Sequence, residues 1–260
     1  MLHIIKSYIQ FLWHSKNQHG VHSPFVFDLV TKCLYDKTQK PEYGILKAYR
    51  QSLLQNKNTI EVTDFGAGSR VFRSNTREIS KIAQTAGISP KRAELLYRIV
   101  NYFQPQNILE IGTSLGLATV ALSHGTQSAQ TTTLEGCPET SKVAQKQFQT
   151  SNFKSDTTKF IITEFSEYLK NYQVAIKYQL IYFDGNHSKQ ATLDYFELLL
   201  PTITNETIWI FDDIHWSEDM EEAWKSIKEH PRVTVTIDTF QWGLVFFRSE
   251  QEKENFIIRT

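Results

Sequence analysis

The sequence predicts an α/β fold, a parallel sheet covered by helices on both faces and closed by an antiparallel hairpin, on the strength of three observations. Short, apolar, β-rich runs recur at 107–112 (NILEIG), 131–136 (TTTLEG), 159–165 (KFIITEF), 179–185 (QLIYFDG) and 207–213 (TIWIFDD). Helix-like segments separate them: LATVALSHG, ETSKVAQKQFQTS, SEYLKNYQVA and KQATLDYFELLLP. That alternation is the pattern of successive βαβ units, whose ligand sites lie at the carboxyl ends of the strands. Finally, the runs 232–238 (RVTVTID) and 242–248 (WGLVFFR) follow a helix around 220–228 and are joined by very few residues. A parallel crossover needs about a dozen, so these two must pair antiparallel. Seven strands are expected, five parallel and a terminal hairpin.

Residues 1–88 read as a mainly helical or irregular extension, and 89–260 as the α/β domain. In MLHIIKSYIQFLWHS, Ile4, Ile5, Tyr8, Ile9 and Leu12 fall at helical spacing and are interrupted by Lys6, Ser7 and Gln10. This is an amphipathic helix, not a signal sequence, and no run reaches the ~20 apolar residues of a membrane span. Polar breaks follow at 14–24 and 37–44, a β-like run at 59–65 ends in the turn of DFGAGS, and a helix from Ser89 to Phe103 leads into the first strong strand. At 260 residues the chain buries a core without staples. Its 28 basic and 28 acidic residues balance, which gives no field for nucleic acid or an anionic membrane and favours a small-molecule substrate. The two cysteines, Cys33 and Cys137, lie outside any CxxC spacing and argue against a disulfide framework or structural zinc. A reducing cytoplasm is the expected compartment. The extension is the expected place for a lid, for substrate selection or for a homodimer contact.

In ILEIGTSLGLAT the first strand ends at Glu110 and Gly112, and the loop through Thr113 and Ser114 to Gly116 opens a helix. Glycine removes the Cβ that would keep a ligand from the backbone, and free N–H groups at a helix start suit a carboxylate such as that of methionine. Glu135, followed by Gly136, ends the next strand; an acid about 20 residues past such a loop is placed to accept the hydroxyls of a ribose. Ser114 stands where a dinucleotide loop needs its second glycine, so S-adenosylmethionine is the expected cofactor and a nicotinamide or flavin is not. The third strand ends in Glu164 and Phe165 beside the expected adenine. Glu164 can accept from its exocyclic amine; Phe165 either packs on the ring or belongs to the core.

A second constellation combines YFDGNHS (182–188) and IFDDIHW (211–216). Asp184 ends the fourth strand and Asp212 and Asp213 the fifth; neighbouring strand ends lie about 5 Å apart. Three converging carboxylates need a counter-charge, which Mg²⁺, Mn²⁺ or Ca²⁺ would supply while lowering the pKa of a bound substrate hydroxyl. His187 is then the expected general base and Asp184 its catalytic neighbour. The alternative is that Asp184, Asn186, Asp212 and Asp213 are helix caps.

These segments resemble the class I O-methyltransferases, in particular a bacterial group with a DGDHS-like motif and a DD pair, and more distantly the catechol and caffeoyl-CoA O-methyltransferases. The resemblance spans about residues 89–248 and implies a Rossmann-like class I methyltransferase sheet with an antiparallel β6/β7 hairpin. In the catechol enzyme's pattern an Asp and an Asp-Asn pair hold Mg²⁺, with a lysine as base. By position those roles fall on Asp184, on Asp212 and Asp213, and on His187. Three rival functions remain. One is an N-methyltransferase, against which the absence of an (N/D)PP(Y/F) sequence counts; another is a catalytically silent, cofactor-binding regulatory subunit; the third is a nicotinamide-dependent oxidoreductase, against which the terminal hairpin and Ser114 count. The DFGAGS turn reads as a flexible loop rather than a second cofactor loop, and His14, His19 and His22 as a surface loop. Trp216 and Trp242 wall a substrate pocket or pack in the core, and the direction of His215 depends on the turn after Asp213.

Overall fold

A computed structural model describes residues 2–63, 65, 74–150, 155–171 and 177–260. The N-terminal part supplies helices α1 (Leu2–His14), α2 (Pro24–Leu29) and α3 (Glu42–Gln55), and a small antiparallel pair, β1 (Thr59–Glu61) with β2 (Thr76–Glu78). Then come α4 (Ile79–Thr85) and α5 (Pro90–Phe103). The start of α5 is written locally: Ser89 accepts from the Arg92 N–H, and Pro90 stands where a missing N–H costs nothing. The alternating part follows as β3 (Asn107–Ile111), α6 (Leu117–His124), β4 (Gln130–Glu135), α7 (Pro138–Thr150), β5 (Thr158–Ile162), α8 (Phe165–Asn171), β6 (Leu180–Phe183), α9 (Lys189–Leu199) and β7 (Ile208–Asp212). After α10 (Glu218–Glu229), whose first turn is acidic and capped by Ser217, come β8 (Val235–Asp238), β9 (Trp242–Phe246) and β10 (Glu254–Ile257).

The main sheet runs β10-β8-β9-β7-β6-β3-β4-β5. The five expected parallel strands are present, and β8 and β9 form the expected hairpin, with β9 antiparallel to β7 as well. Among the described residues the main sheet has eight strands, not seven. The addition, β10, lies parallel to β8 at the sheet edge, with Phe256 its one buried residue. A four-residue edge strand after the polar run QEK has no period-two pattern to announce it. It is held from the other end of the chain: the Lys16 N–H donates to the Ile257 carbonyl at 2.8 Å.

Side chains of the parallel strands alternate between two cores. Ile108, Leu180, Tyr182, Ile208 and Ile210 face one that also contains Leu29, Val30, Tyr49 and Leu53 from the N-terminal helices. Leu109, Ile181, Phe183, Trp209 and Phe211 face the other, under Leu169 of α8, Phe196 and Leu199 of α9 and Trp224 and Ile227 of α10. The N-terminal helices thus cover one face of the sheet. Helix α1 packs through Phe11 against Phe240, ring centroids 5.5 Å apart, and leaves Ile9 and Trp13 59% and 86% exposed. Among the described residues no helix is long and apolar enough to cross a membrane.

Strand order reverses between β3 and β6, whose last residues pair as Ile111 with Phe183. That switch point opens a crevice at the carboxyl ends, and the register carries the line on: Phe183 pairs with Phe211 of β7, and Leu134 of β4 with Ile111. The residues next in sequence, Gly112, Glu135, Asp184 and Asp212, therefore arrive at one rim.

Candidate functional site

A cleft of about 580 Å³ occupies this rim. Its lining includes Gly112, Ser114, Glu135, Gly136, Glu164, Phe165, Asp184, His187, Asp212 and Asp213, ten residues expected from sequence. The N-terminal part adds a wall from Ile82, Ile88 and Arg92.

At one end, the loop after β3 is folded by its glycines and by Glu135. Gly112 has φ +106°, and a Cβ there would fall 2.2 Å from the Asp184 carbonyl oxygen, so the loop is glycine both for its backbone and for its contact with the strand beside it. The Ser114 N–H donates to Glu135 Oε2 at 2.7 Å and the Cys137 N–H to Oε1 at 2.8 Å. One carboxylate thereby ties together the turns after β3 and β4, where it also lines the cleft. Burial pushes the Glu135 carboxyl upward from its ordinary pKa, against the backbone N–H groups that favour its charge.

Three residues expected in the cofactor loop lie behind it. Glu110 is fully buried beneath the loop, where Oε2 accepts from the hydroxyls of Thr119 (2.6 Å) and Thr133 (2.5 Å). Its Oε1 has no partner, and burial raises its pKa to about 8, against the two hydroxyls that favour its charge. Thr113 bonds Thr133, 2.5 Å between hydroxyl oxygens. Gly116, at φ +80°, makes room for Tyr49 of α3, whose hydroxyl donates to the Leu115 carbonyl at 2.8 Å. These three shape the loop from below and do not line the cleft.

Glu164 lines the cleft but also caps α8, accepting from Ser166 N–H and hydroxyl and from Glu167 N–H. Its slight burial opposes the charge, yet these bonds win and lower its pKa. Phe165 has both of the places left open for it: its ring edges the cleft and packs on Gly185 and Tyr195.

At the other end Asp184, Asp212 and Asp213 do converge, and two of them, Asp212 and Asp184, each pair with a basic side chain. Arg92 of α5 pairs with Asp212 Oδ1, 120 positions away in sequence. The Asp213 N–H reaches the same oxygen at 2.8 Å, and the Tyr182 hydroxyl donates to Oδ2 at 2.9 Å. The Arg92 guanidinium also lies over the Trp242 ring, 5.1 Å from its centroid. Burial works against its charge, but Asp212 above all, with Tyr182, Asp213 and Asp184, holds it firmly protonated. His187 Nε2 lies 3.3 Å from Asp184 Oδ1. Burial disfavours the imidazolium, yet Asp184 and the two neighbouring aspartates outweigh that and raise its pKa to about 9. Burial and the Asp212 charge raise the pKa of both Asp184 and Asp213.

Asp212 thus has partners of this chain on both of its oxygens. Among the described residues no cluster of three or more His, Cys, Asp or Glu has the arrangement of a metal site. The sequence did contain a trace of Arg92: Lys91 and Arg92 stand in the first turn of α5, which has no acidic residue, where the helix dipole disfavours positive charge. The backbone marks the same place. Six non-glycine described residues have left-handed φ, and Ser114 (+48°), Asn186 (+69°), His187 (+36°) and Asp213 (+52°) are four of them, all lining the cleft.

Trp216 lines the cleft, whereas Trp242 is buried in the core. His215 turns away to Glu221 and Asp238, at 2.7 and 2.9 Å. Of DFGAGS, Phe65 alone lies within the described residues; it edges the cleft against Gly136, and the rest of that turn falls outside them.

Residues 109–214, from β3 to just past β7, match the family model described as a methyltransferase domain. This stretch resembles a methyltransferase domain. No curated protein matches the chain. Among solved structures, the methyltransferase PaMTH1 of Podospora anserina, determined with SAH bound, superposes with a TM-score of 0.62 at 16% identity, over 88% of this chain and 97% of that one. The O-methyltransferase from Bacillus cereus in complex with SAH gives 0.54 at 18% identity, over 82% and 93%. The O-methyltransferase TomG of Streptomyces achromogenes, in complex with SAM, gives 0.54 at 14% identity, over 63% and 82%. Likeness at such identities fixes the fold, a Rossmann-like methyltransferase sheet with helices on both faces.

Proposed function

We propose that this chain is a methyltransferase that uses S-adenosylmethionine to methylate an oxygen of a small molecule. The observation that carries the reading is Glu135: a half-buried carboxylate at the end of β4 that lines a large cleft, its two oxygens held by the Ser114 and Cys137 N–H groups. That is the acceptor pair a ribose diol requires. The cofactor supplies a methyl group on a sulfonium, so the acceptor must bring a lone pair in line with the carbon–sulfur bond. The loop at Gly112 and Ser114 would hold the methionine end, and Phe165 and Gly136 would flank the adenine. The structures determined with SAH or SAM on this fold support the assignment.

The acidic end points to oxygen as nucleophile, because a hydroxyl must lose its proton as it attacks and His187 is placed to take it. Asp184 orients the ring and stabilises the imidazolium that forms. At about 9 its pKa is too high for a base in the empty cleft, but a sulfonium brought beside it disfavours the imidazolium and returns it toward neutrality. Much of the rate would come from alignment of the three reacting atoms by the two walls of the cleft.

Calorimetric titration with S-adenosylhomocysteine tests this without knowledge of the acceptor. Micromolar binding is expected, weakened roughly 10- to 100-fold in Glu135→Ala, the worth of hydrogen bonds to a charged group. Failure of the intact, folded protein to bind would remove the reading.

A further inference from the structure

Resting on that reading of the cleft, we propose that Arg92 supplies the positive charge that a divalent cation supplies in the catechol enzyme's pattern, so that Asp184, Asp212 and Asp213 hold no metal ion. Three carboxylates at adjoining strand ends need compensation, and the residue types alone leave its source open. The structure provides a source from outside the alternating strands. Arg92 reaches in from the first turn of α5 to Asp212, and the Asp213 N–H and the Tyr182 hydroxyl complete that carboxylate's contacts. With a side chain 4% exposed, two donors on Oδ1 and one on Oδ2, Asp212 offers a hard cation no oxygen free of a protein partner.

Nor is Arg92 a loose surface cation that an incoming ion would displace. Its side chain is 18% exposed, its guanidinium lies over Trp242, and its Nε is buried with no hydrogen-bond partner. Withdrawing it would strand Asp212 as an unpaired buried charge and forfeit the ring contact. The formal charges agree with this. With Arg92 and a bound sulfonium in place, three carboxylates retain one uncompensated negative charge, and a divalent ion would reverse the sign of the pocket. Asp184 and Asp213 then remain for work that a fixed guanidinium permits: the first orients His187, and the second faces the cleft beside it.

The test is a Mn²⁺ titration followed by electron paramagnetic resonance, on the full chain saturated with S-adenosylhomocysteine. The wild-type protein is expected to leave millimolar Mn²⁺ free. Arg92→Met, which uncovers Asp212, should bind Mn²⁺ at least about tenfold more tightly than wild type, because three carboxylates are then left without their cation. Mn²⁺ bound by the wild type and lost in Asp213→Asn would overturn the proposal, as would a folded Arg92→Met protein with no greater affinity than wild type. Should Arg92→Met fail to fold, the wild-type titration still decides, with Asp213→Asn as its control. Calorimetry with S-adenosylhomocysteine on the same samples separates the two readings: absence of that binding refutes the cofactor assignment whatever Mn²⁺ does.

Discussion

The two ends of the cleft are built by different means. At the Glu135 end, side chains bond to backbone: two N–H groups, from Ser114 and Cys137, fix one carboxylate, and the partners are turns of consecutive βα units. At the Asp184 end, charged side chains bond to one another, and the decisive partner comes from a helix 120 positions earlier. The first kind of site is a property of a turn and is repeated wherever the turn is. The second is a property of packing and exists only where a distant helix lands in the right place.

The sharpest way to break this contrast is at the turn itself. Gly112→Ala adds a Cβ on top of the Asp184 carbonyl at a φ of +106°, and a loss of ~2–4 kcal/mol in denaturant unfolding is expected, with cofactor binding abolished. A substitution there that keeps wild-type stability would mean that the loop is not held as described. Next in size is Asp212→Asn, which leaves the Arg92 cation without its counter-charge; ~2–3 kcal/mol should be lost, less than for a fully buried pair because Arg92 is partly solvated. S-adenosylhomocysteine affinity should change little, since Asp212 anchors the other end, and a large fall would show that the two ends are one unit.

Proton linkage should divide the ends as well. His187 titrates near 9 in the empty cleft, and the raised pKa values of Asp184 and Asp213 act in the same sense. A sulfonium displaces the His187 proton and is drawn to the ionised aspartates. Affinity for S-adenosylmethionine should therefore climb with pH and level off above about 9, by no more than about tenfold per unit for each proton released. The uncharged thioether of S-adenosylhomocysteine should show a much flatter profile by calorimetry, and parallel profiles would remove the charges from the methyl-transfer end. The smallest effect is expected from Glu164→Ala, which removes the cap of α8: about 1 kcal/mol in thermal unfolding, with a change in cofactor affinity only if Glu164 also touches the adenine.

The same division explains what was legible in the sequence. Strands buried on both faces leave apolar runs such as ILEI and LIYF, and a glycine loop followed by an acid leaves a spacing, so the parallel sheet and the Glu135 end could be read directly. Edge strand β10 buries one side chain and leaves no period. The carboxylates of the acidic end were visible, but their counter-charge was not, because nothing in PKRAELLYRIV states which strand end Arg92 will meet. Glu110 was legible as a marker of the loop, yet its position beneath the loop depends on Thr119 and Thr133, from the following helix and the neighbouring strand.

Gly116 carries a consequence for how sequences of this kind drift. The space its absent Cβ would fill belongs to the hydroxyl of Tyr49, 2.5 Å away, and that hydroxyl grips the preceding carbonyl. Positions 49 and 116 are therefore a lock and its key. A lineage that enlarges one must trim the other, and paired replacement at these two sites would trace the joining of the N-terminal helices to the turn after β3.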